Sequence, residues 1–195
     1  MSNINDFKSR LTGGGARANQ FEVLMNFPTW AGDSETTTEM KFLCTSTTTP
    51  ASTVAEVPVA FRGRTLYLAG DRTFETWSTT VINDTGFKVY KACERWLNGI
   101  NDLETNESTK INPNSYMVDA TIKHLDRNSA LLKQWFFKGV FPTALPGIAL
   151  DYGTNDAIET FDVTWRYQWF TTDSGGLVDP GDSVATGEGP PGRNY

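Results

Sequence analysis

His124 is the one histidine in the chain, and it closes an alternating segment that begins at Ser115. An imidazole so placed could serve as a general base. No nucleophile or carboxylate motif accompanies it, so a strand-end histidine with a structural hydrogen bond is the simpler reading. Asp151, Asn155, Asp156, Glu159 and Asp162 form an acidic cluster that loosely resembles a calcium loop. Asp156 stands where such a loop needs glycine and Asp162 where it needs glutamate, which leaves a turn held by Asn and Asp side chains. Gly13-Gly14-Gly15 follows no strand and lacks the spacing of a dinucleotide loop, so it reads as the hinge of an arm. Cys44 and Cys93 read as two small buried hydrophobes. With a single histidine they make a zinc site and Cys–His catalysis poor expectations. Trp30, Trp135 and Trp169 could stack on sugars, but most tryptophans here fall on alternating core faces. The acidic residues single out no carboxylate pair for glycoside hydrolysis.

The elements that must carry these residues are mostly strands. Glu159 to Trp169 is the clearest strand and alternates strictly, with Phe161, Val163, Trp165, Tyr167 and Trp169 on one face. Tyr116, Val118, Ala120 and Ile122 do the same against Met117, Asp119, Thr121 and Lys123. Further strands are expected over 20–27, 39–46, 57–61, 64–69, 77–83 and 132–140. Turns at Arg62-Gly63, Gly70-Asp71 and 142–147 separate them. About eight strands imply a mainly β fold, a sandwich or barrel. One helix flanks it. Asp84 or Thr85 is a candidate N-cap, Val89, Tyr90, Cys93, Trp96, Leu97 and Ile100 form the apolar stripe, and Gly99 suits a C-cap. Segments 28–38 and 47–56 read as long loops.

The 195 residues divide into an extended arm over 1–19, a β domain over 20–170 and a flexible Gly/Pro-rich extension over 171–195. Net charge is −6, a poor match to a protein that grips phosphates. No stretch approaches the ~20 apolar residues of a membrane-spanning helix, and the polar start lacks a secretory apolar core.

The least ordinary local feature is Gly70-Asp71-Arg72-Thr73-Phe74-Glu75, where a turn is expected and the charged pair is left for a partner. The segment LAGDRTFETWSTTVIND (68–84) closely resembles the signature of the tail tube proteins of T4-like contractile-tailed bacteriophages. The resemblance extends over 42–74 and returns at 138–165, about two thirds of the chain in the same order. It implies a β-sandwich with one flanking helix, six copies in a ring, and inner sheets joined into a shared barrel. It implies rings stacked into a hollow tube inside a contractile sheath, a conduit for DNA. Tubes of contractile injection and type VI secretion systems look similar. The implied partners are further copies of the chain, the sheath, baseplate and tape-measure proteins, and DNA in transit without specific binding. The implied locations are the virion and, during assembly, the host cytoplasm. No cofactor, metal, catalysis or membrane insertion is implied.

Asp71 and Arg72 are then candidate inter-subunit contacts. Strands near 39–46, 57–68, 115–124 and 131–139 are expected to line the lumen, offering Glu39, Asp119, Thr121 and Lys123 from their non-core faces. A polar, neutral or negative wall would let DNA slide without sticking.

Overall fold

The computed structural model describes residues 3–11 and 15–173. In chain order the elements are α1 (Ile4–Arg10), β1 (Phe21–Met25), α2 (Ser34–Leu43), β2 (Cys44–Thr47), β3 (Ser52–Phe61), β4 (Arg64–Phe74) and β5 (Trp77–Ile82). They continue with α3 (Lys88–Ile100), α4 (Pro113–Tyr116), β6 (Val118–Leu125), β7 (Leu131–Ala144), β8 (Thr160–Arg166) and β9 (Trp169–Asp173). The fold is mainly β, as the alternating segments require.

Six strands form one path, β1-β6-β7-β8-β5-β2, and β9, paired to β7 off that path, completes a seven-stranded sheet. Strand β7 serves both halves of this path. Its first residues pair β6 on one side and β9 on the other, and Phe141 to Ala144 pair β8. At the crossover Gly139 takes a φ of 65°, a backbone state that glycine enters without steric cost. The two halves wrap around one core. Trp77 stacks on Phe137 with ring centroids 4.5 Å apart, and Trp96 lies 5.6 Å from Trp165. Each buried indole N–H has an acceptor: Trp77 donates to Thr47 Oγ1, Trp165 to Thr79 Oγ1, and Trp96 to the Tyr116 carbonyl. An unmet N–H there would cost about 1–3 kcal/mol.

The expected apolar helix is α3, which buries Val89, Ala92, Cys93 and Trp96. Its start is held from upstream. The Asp84 carboxylate accepts the Gly86 and Lys88 amides, while Phe87 occupies the cap position with φ 55°. Gly99 lies inside the helix and not at its cap, which is Asn101. A Cβ on Gly99 would meet the Trp30 ring at 2.2 Å, so packing selects glycine there. Gly99→Ala improves helix propensity by about 1 kcal/mol yet overpacks the Trp30 contact at about 1–3 kcal/mol. A lower urea midpoint is therefore expected, and an unchanged or higher midpoint would contradict this account.

Several expectations are corrected. Residues 39–43 form no strand: α2 covers Ser34–Leu43 and β2 begins only at Cys44. Asp33 starts α2 by accepting the Thr36 amide and hydroxyl. Thr37 and Thr38 turn their hydroxyls onto carbonyls four residues back, so a β-favouring threonine run becomes helical. The same helix replaces the second half of the expected 28–38 loop. Segment 47–56 is a loop only to Ala51, since β3 starts at Ser52. Gly70-Asp71 is no turn, because β4 runs through it. The alternation after Thr160 breaks at Tyr167-Gln168, so Trp169 opens β9 and is 52 % exposed. The start of the chain is not wholly extended, for Asn3 and Asp6 form a capping box that opens α1. Residues 171–173 complete β9, and the rest of the expected 171–195 extension lies outside the described residues, as do Gly13 and Gly14.

Candidate assembly surface

Strands β3 and β4 form a separate two-stranded ribbon, paired only with each other among the described residues. Its tip is Arg62-Gly63, with φ of 45° and 83°. Two positive φ values in a two-residue loop match the hairpin turn whose twist suits right-twisted strands. The register pairs Val57 with Leu68, Val59 with Leu66, and Phe61 with Arg64. Val57, Val59, Phe61, Leu66 and Leu68 therefore share one face. All five are between 41 and 66 % exposed. The opposite face carries Glu56, Pro58, Ala60, Thr65, Tyr67 and Ala69. A bulge lies between Val54 and Glu56. Just beyond it, at the ribbon base, sit Asp71 and Arg72, both exposed. The base is tied to the domain: Glu75 N–H donates to the Ala51 carbonyl, Tyr167 Oη donates to the same oxygen, and Phe74 packs on Tyr167 and Phe170.

A second surface is the non-core face of β1, β6, β7 and β9. One row across it reads Glu22, Lys123, Gln134, Asp173, and the next reads Leu24, Thr121, Phe136, Thr171. Asp119 and Lys138 form an ion pair beside them. Glu22 also meets Lys41 of α2 at 3.2 Å, and Gln134 donates to Asp173. The face thus brings Asp119, Thr121 and Lys123 together, and its cations lie opposite carboxylates. Lys133 falls on the other side of the sheet, over Trp135. Glu39 is not on this face. It sits on α2, where it and Glu35 bind Lys88 of α3 at 2.7 and 2.6 Å. Those two carboxylates hold the Lys88 ammonium above the usual lysine range.

The remaining candidates separate. His124 Nε2 lies 2.9 Å from the Arg17 carbonyl and fixes the chain entering β1. The Asp151 carboxylate accepts the Gly153 amide, Glu159 pairs with Asn83, and Asp162 accepts the Thr80 hydroxyl. The acidic cluster is therefore spread over a turn, the residue before β8 and β8 itself. Trp30 donates to the Ser115 carbonyl and packs against the core. Cys44 and Cys93 are buried and unbridged, and burial pushes both thiols up to about 12. Native protein should therefore leave both thiols unmodified by a disulfide-exchange reagent at pH 8 and release two equivalents in denaturant. Fast labelling of the native chain would contradict the packing described.

The model of the family described as phage tail tube protein matches residues 16–173. The chain belongs to that family. A tail tube protein of Serratia phage KSP90 is 31 % identical over 169 residues, covering 86 % of this chain and 95 % of that protein. Tail tube protein gp19 of Enterobacteria phage T4 is 33 % identical over 150 residues, covering 76 and 86 %. Among solved structures, a tube-terminating cap of the anti-feeding prophage superposes with a TM-score of 0.59 at 17 % identity, covering 82 % of this chain and 91 % of the other. A sheath–tube complex of an extracellular contractile injection system gives 0.57 at 16 %, covering 89 and 99 %. At such identities these two share the tail tube fold, and the phage proteins carry the family.

Sequence reasoning placed the Arg62-Gly63 turn but missed the apolar ribbon face. Its signal was present, since Val57, Val59 and Phe61 alternate like a core strand.

Proposed function

We propose that copies of this chain close into six-membered rings that stack into the hollow tube of a contractile phage tail, through which DNA leaves the virion. The exposed apolar face of the β3–β4 ribbon carries the reading. A two-stranded ribbon is marginal alone, and five neighbouring apolar side chains on one face call for a cover. No element of the chain covers them among the described residues, and another copy supplies the missing surface. The edges of β1 and β9, unpaired among the described residues, support ring closure, because joining them between neighbours makes the β1-β6-β7-β9 sheets continuous and removes their edges. On this reading Asp119, Thr121 and Lys123 look into the lumen. Their charges are balanced locally by Lys138 and Glu22, so phosphates passing by meet few uncompensated cations. A sheath outside, and baseplate and tape-measure proteins at the end and within, are the further partners. No catalytic step or cofactor belongs to this role. Arm 1–19, domain 20–170 and a terminal extension are the corresponding functional divisions. The phage relatives stand at 31–33 % identity against 16–17 % for the injection-system structures, which favours the DNA conduit over a protein injector.

Negative-stain electron microscopy with sizing chromatography tests this directly. Hollow tubes built from six-fold rings are expected, if necessary after adding baseplate seeds. A chain that stays monomeric at high concentration with seeds present would overturn it. Arg72→Glu should lower tube yield while leaving the thermal midpoint unchanged, and an unchanged yield would remove Asp71 and Arg72 from the subunit contact.

A further inference from the structure

The β3–β4 ribbon is charged as well as apolar. Between Val57 and Gly70 it carries two cations, Arg62 and Arg64, and no carboxylate. Both stand at the tip and both are exposed. Phe61 is the register partner of Arg64, so Arg64 shares the apolar face. Arg62 lies over the Phe61 ring, 5.3 Å from its centroid. The apolar face therefore ends in two cations.

A second stretch has the complementary make-up. Residues 145–158 join β7 to β8 and carry two carboxylates, Asp151 and Asp156, and no cation. Leu150, Tyr152 and Ile158 are between 72 and 104 % exposed, while Ile148 packs against the core and anchors the stretch. The Asp151 carboxylate accepts the Gly153 amide, and the Thr154 hydroxyl donates to the Asp151 carbonyl, which fixes the turn that presents Tyr152. Among the described residues, none of Arg62, Arg64, Asp151 and Asp156 belongs to an ion pair.

Ribbon and loop leave the domain at opposite ends of the β5–β8 pair. The ribbon runs into β5 through Phe74 and Glu75, at the end where Trp77 is paired with Trp165 and Phe74 packs on Tyr167. The loop runs into β8 through Glu159, at the end where Ile82 is paired with Thr160 and the Asn83 amide donates to the Glu159 carbonyl. Unlike surfaces at two ends of one subunit make a heterologous contact, and one that does not close builds an open filament. Ring closure uses the edges of β1 and β9, so this contact is left for stacking.

We propose that the ribbon of one copy lays its apolar face on the 148–158 loop of a copy in the next ring, with Arg62 and Arg64 against Asp151 and Asp156. This rests on the tube reading and names the surface that covers the ribbon. Apolar burial holds the two together, and the charges at the tip fix where along the loop the ribbon stops. Because ribbon and loop differ, every ring faces the same way.

Charge reversal in full-length protein tests the pairing. Arg62→Asp with Arg64→Asp should raise the concentration needed for tube growth at least about tenfold at low salt, and less at high salt. Asp151→Arg with Asp156→Arg should do the same, and the chain carrying all four changes should recover most of the loss. The four side chains are exposed, so the thermal midpoint of each variant should stay near that of the unchanged chain. Loss in both pairs without recovery in the fourfold variant would overturn the pairing. A second measurement leaves the contact residues intact: Thr65→Cys with Ala157→Cys, joined in assembled tubes by a flexible bismaleimide. The native thiols are buried and stay out of the reaction. Linked chains should form a ladder running past six. Links only inside one chain, a ladder that stops at six, or no links in well-formed tubes would overturn the stacking contact alone. Failure of the unsubstituted protein to form any tube with seeds would overturn the assembly reading beneath it.

Discussion

A chain carrying Val59→Asp and Leu66→Asp is expected to fold normally and to fail to form tubes. Both side chains lie on the ribbon, face each other in the register, and belong neither to the core nor to the residues packed against it. Their replacement should leave the thermal midpoint within the ~0.5 kcal/mol typical of surface changes. In the assembly each contributes the burial of a Val or Leu side chain, about 1.5–3 kcal/mol. Since ~1.4 kcal/mol is a factor of ten, losing both and burying two carboxylates should raise the threshold for tube growth at least about a hundredfold. Light scattering against protein concentration measures it. Unchanged growth would mean that the apolar ribbon face is not the covered surface, and the main support for self-assembly would go with it. Glu56→Gln, on the opposite face of the ribbon, is the control and should change growth little.

The largest effect on the isolated subunit is expected at Trp96. Its ring is fully buried, sits edge-on to Phe27 at 5.7 Å and near Trp165 at 5.6 Å, and donates to the Tyr116 carbonyl. It is the residue by which α3 is pinned to both the β layer and the turn α4. Trp96→Ala removes that packing and leaves a cavity, at about 3–5 kcal/mol. Against a total of roughly 5–15 kcal/mol for an ordinary domain, this should bring the chain close to unfolding at 37 °C. Urea unfolding followed by circular dichroism checks it, and a loss below about 1 kcal/mol would mean that α3 is not anchored as described. Trp30→Ala should cost less, because Trp30 is only partly buried.

What could be read beforehand follows the strength of each local pattern. Strands β6 and β8 were legible because one face is buried and the other wet, so residue types alternate. Helix α3 was legible from its apolar stripe. Helix α2 was not, because Thr36 to Thr38 favour strands by type, and only the hydrogen bonds of Asp33 and the burial of Met40 turn the segment helical. Placing Glu39 on a strand failed for the same reason. The ribbon was half legible. Its turn is written in Arg62-Gly63, but an apolar face meant for another copy has the same alternation as one meant for the chain's own core. The break at Gln168 is invisible to alternation, since its amide bonds to the Lys138 carbonyl across the sheet.

Strand β7 belongs to both halves of the β layer, and that has a mechanical consequence. In a wall made of two separately glued plies, a sideways load peels one ply from the other, parting side-chain contacts a few at a time. Here the plies are one continuous ribbon folded at Gly139, so they cannot be peeled apart without tearing β7 from its neighbours. Where the load runs along that strand, its ladder bonds to β6, β9 and β8 stretch together in shear rather than opening in turn like a zip. Such a wall can take a hard sideways drag without delaminating.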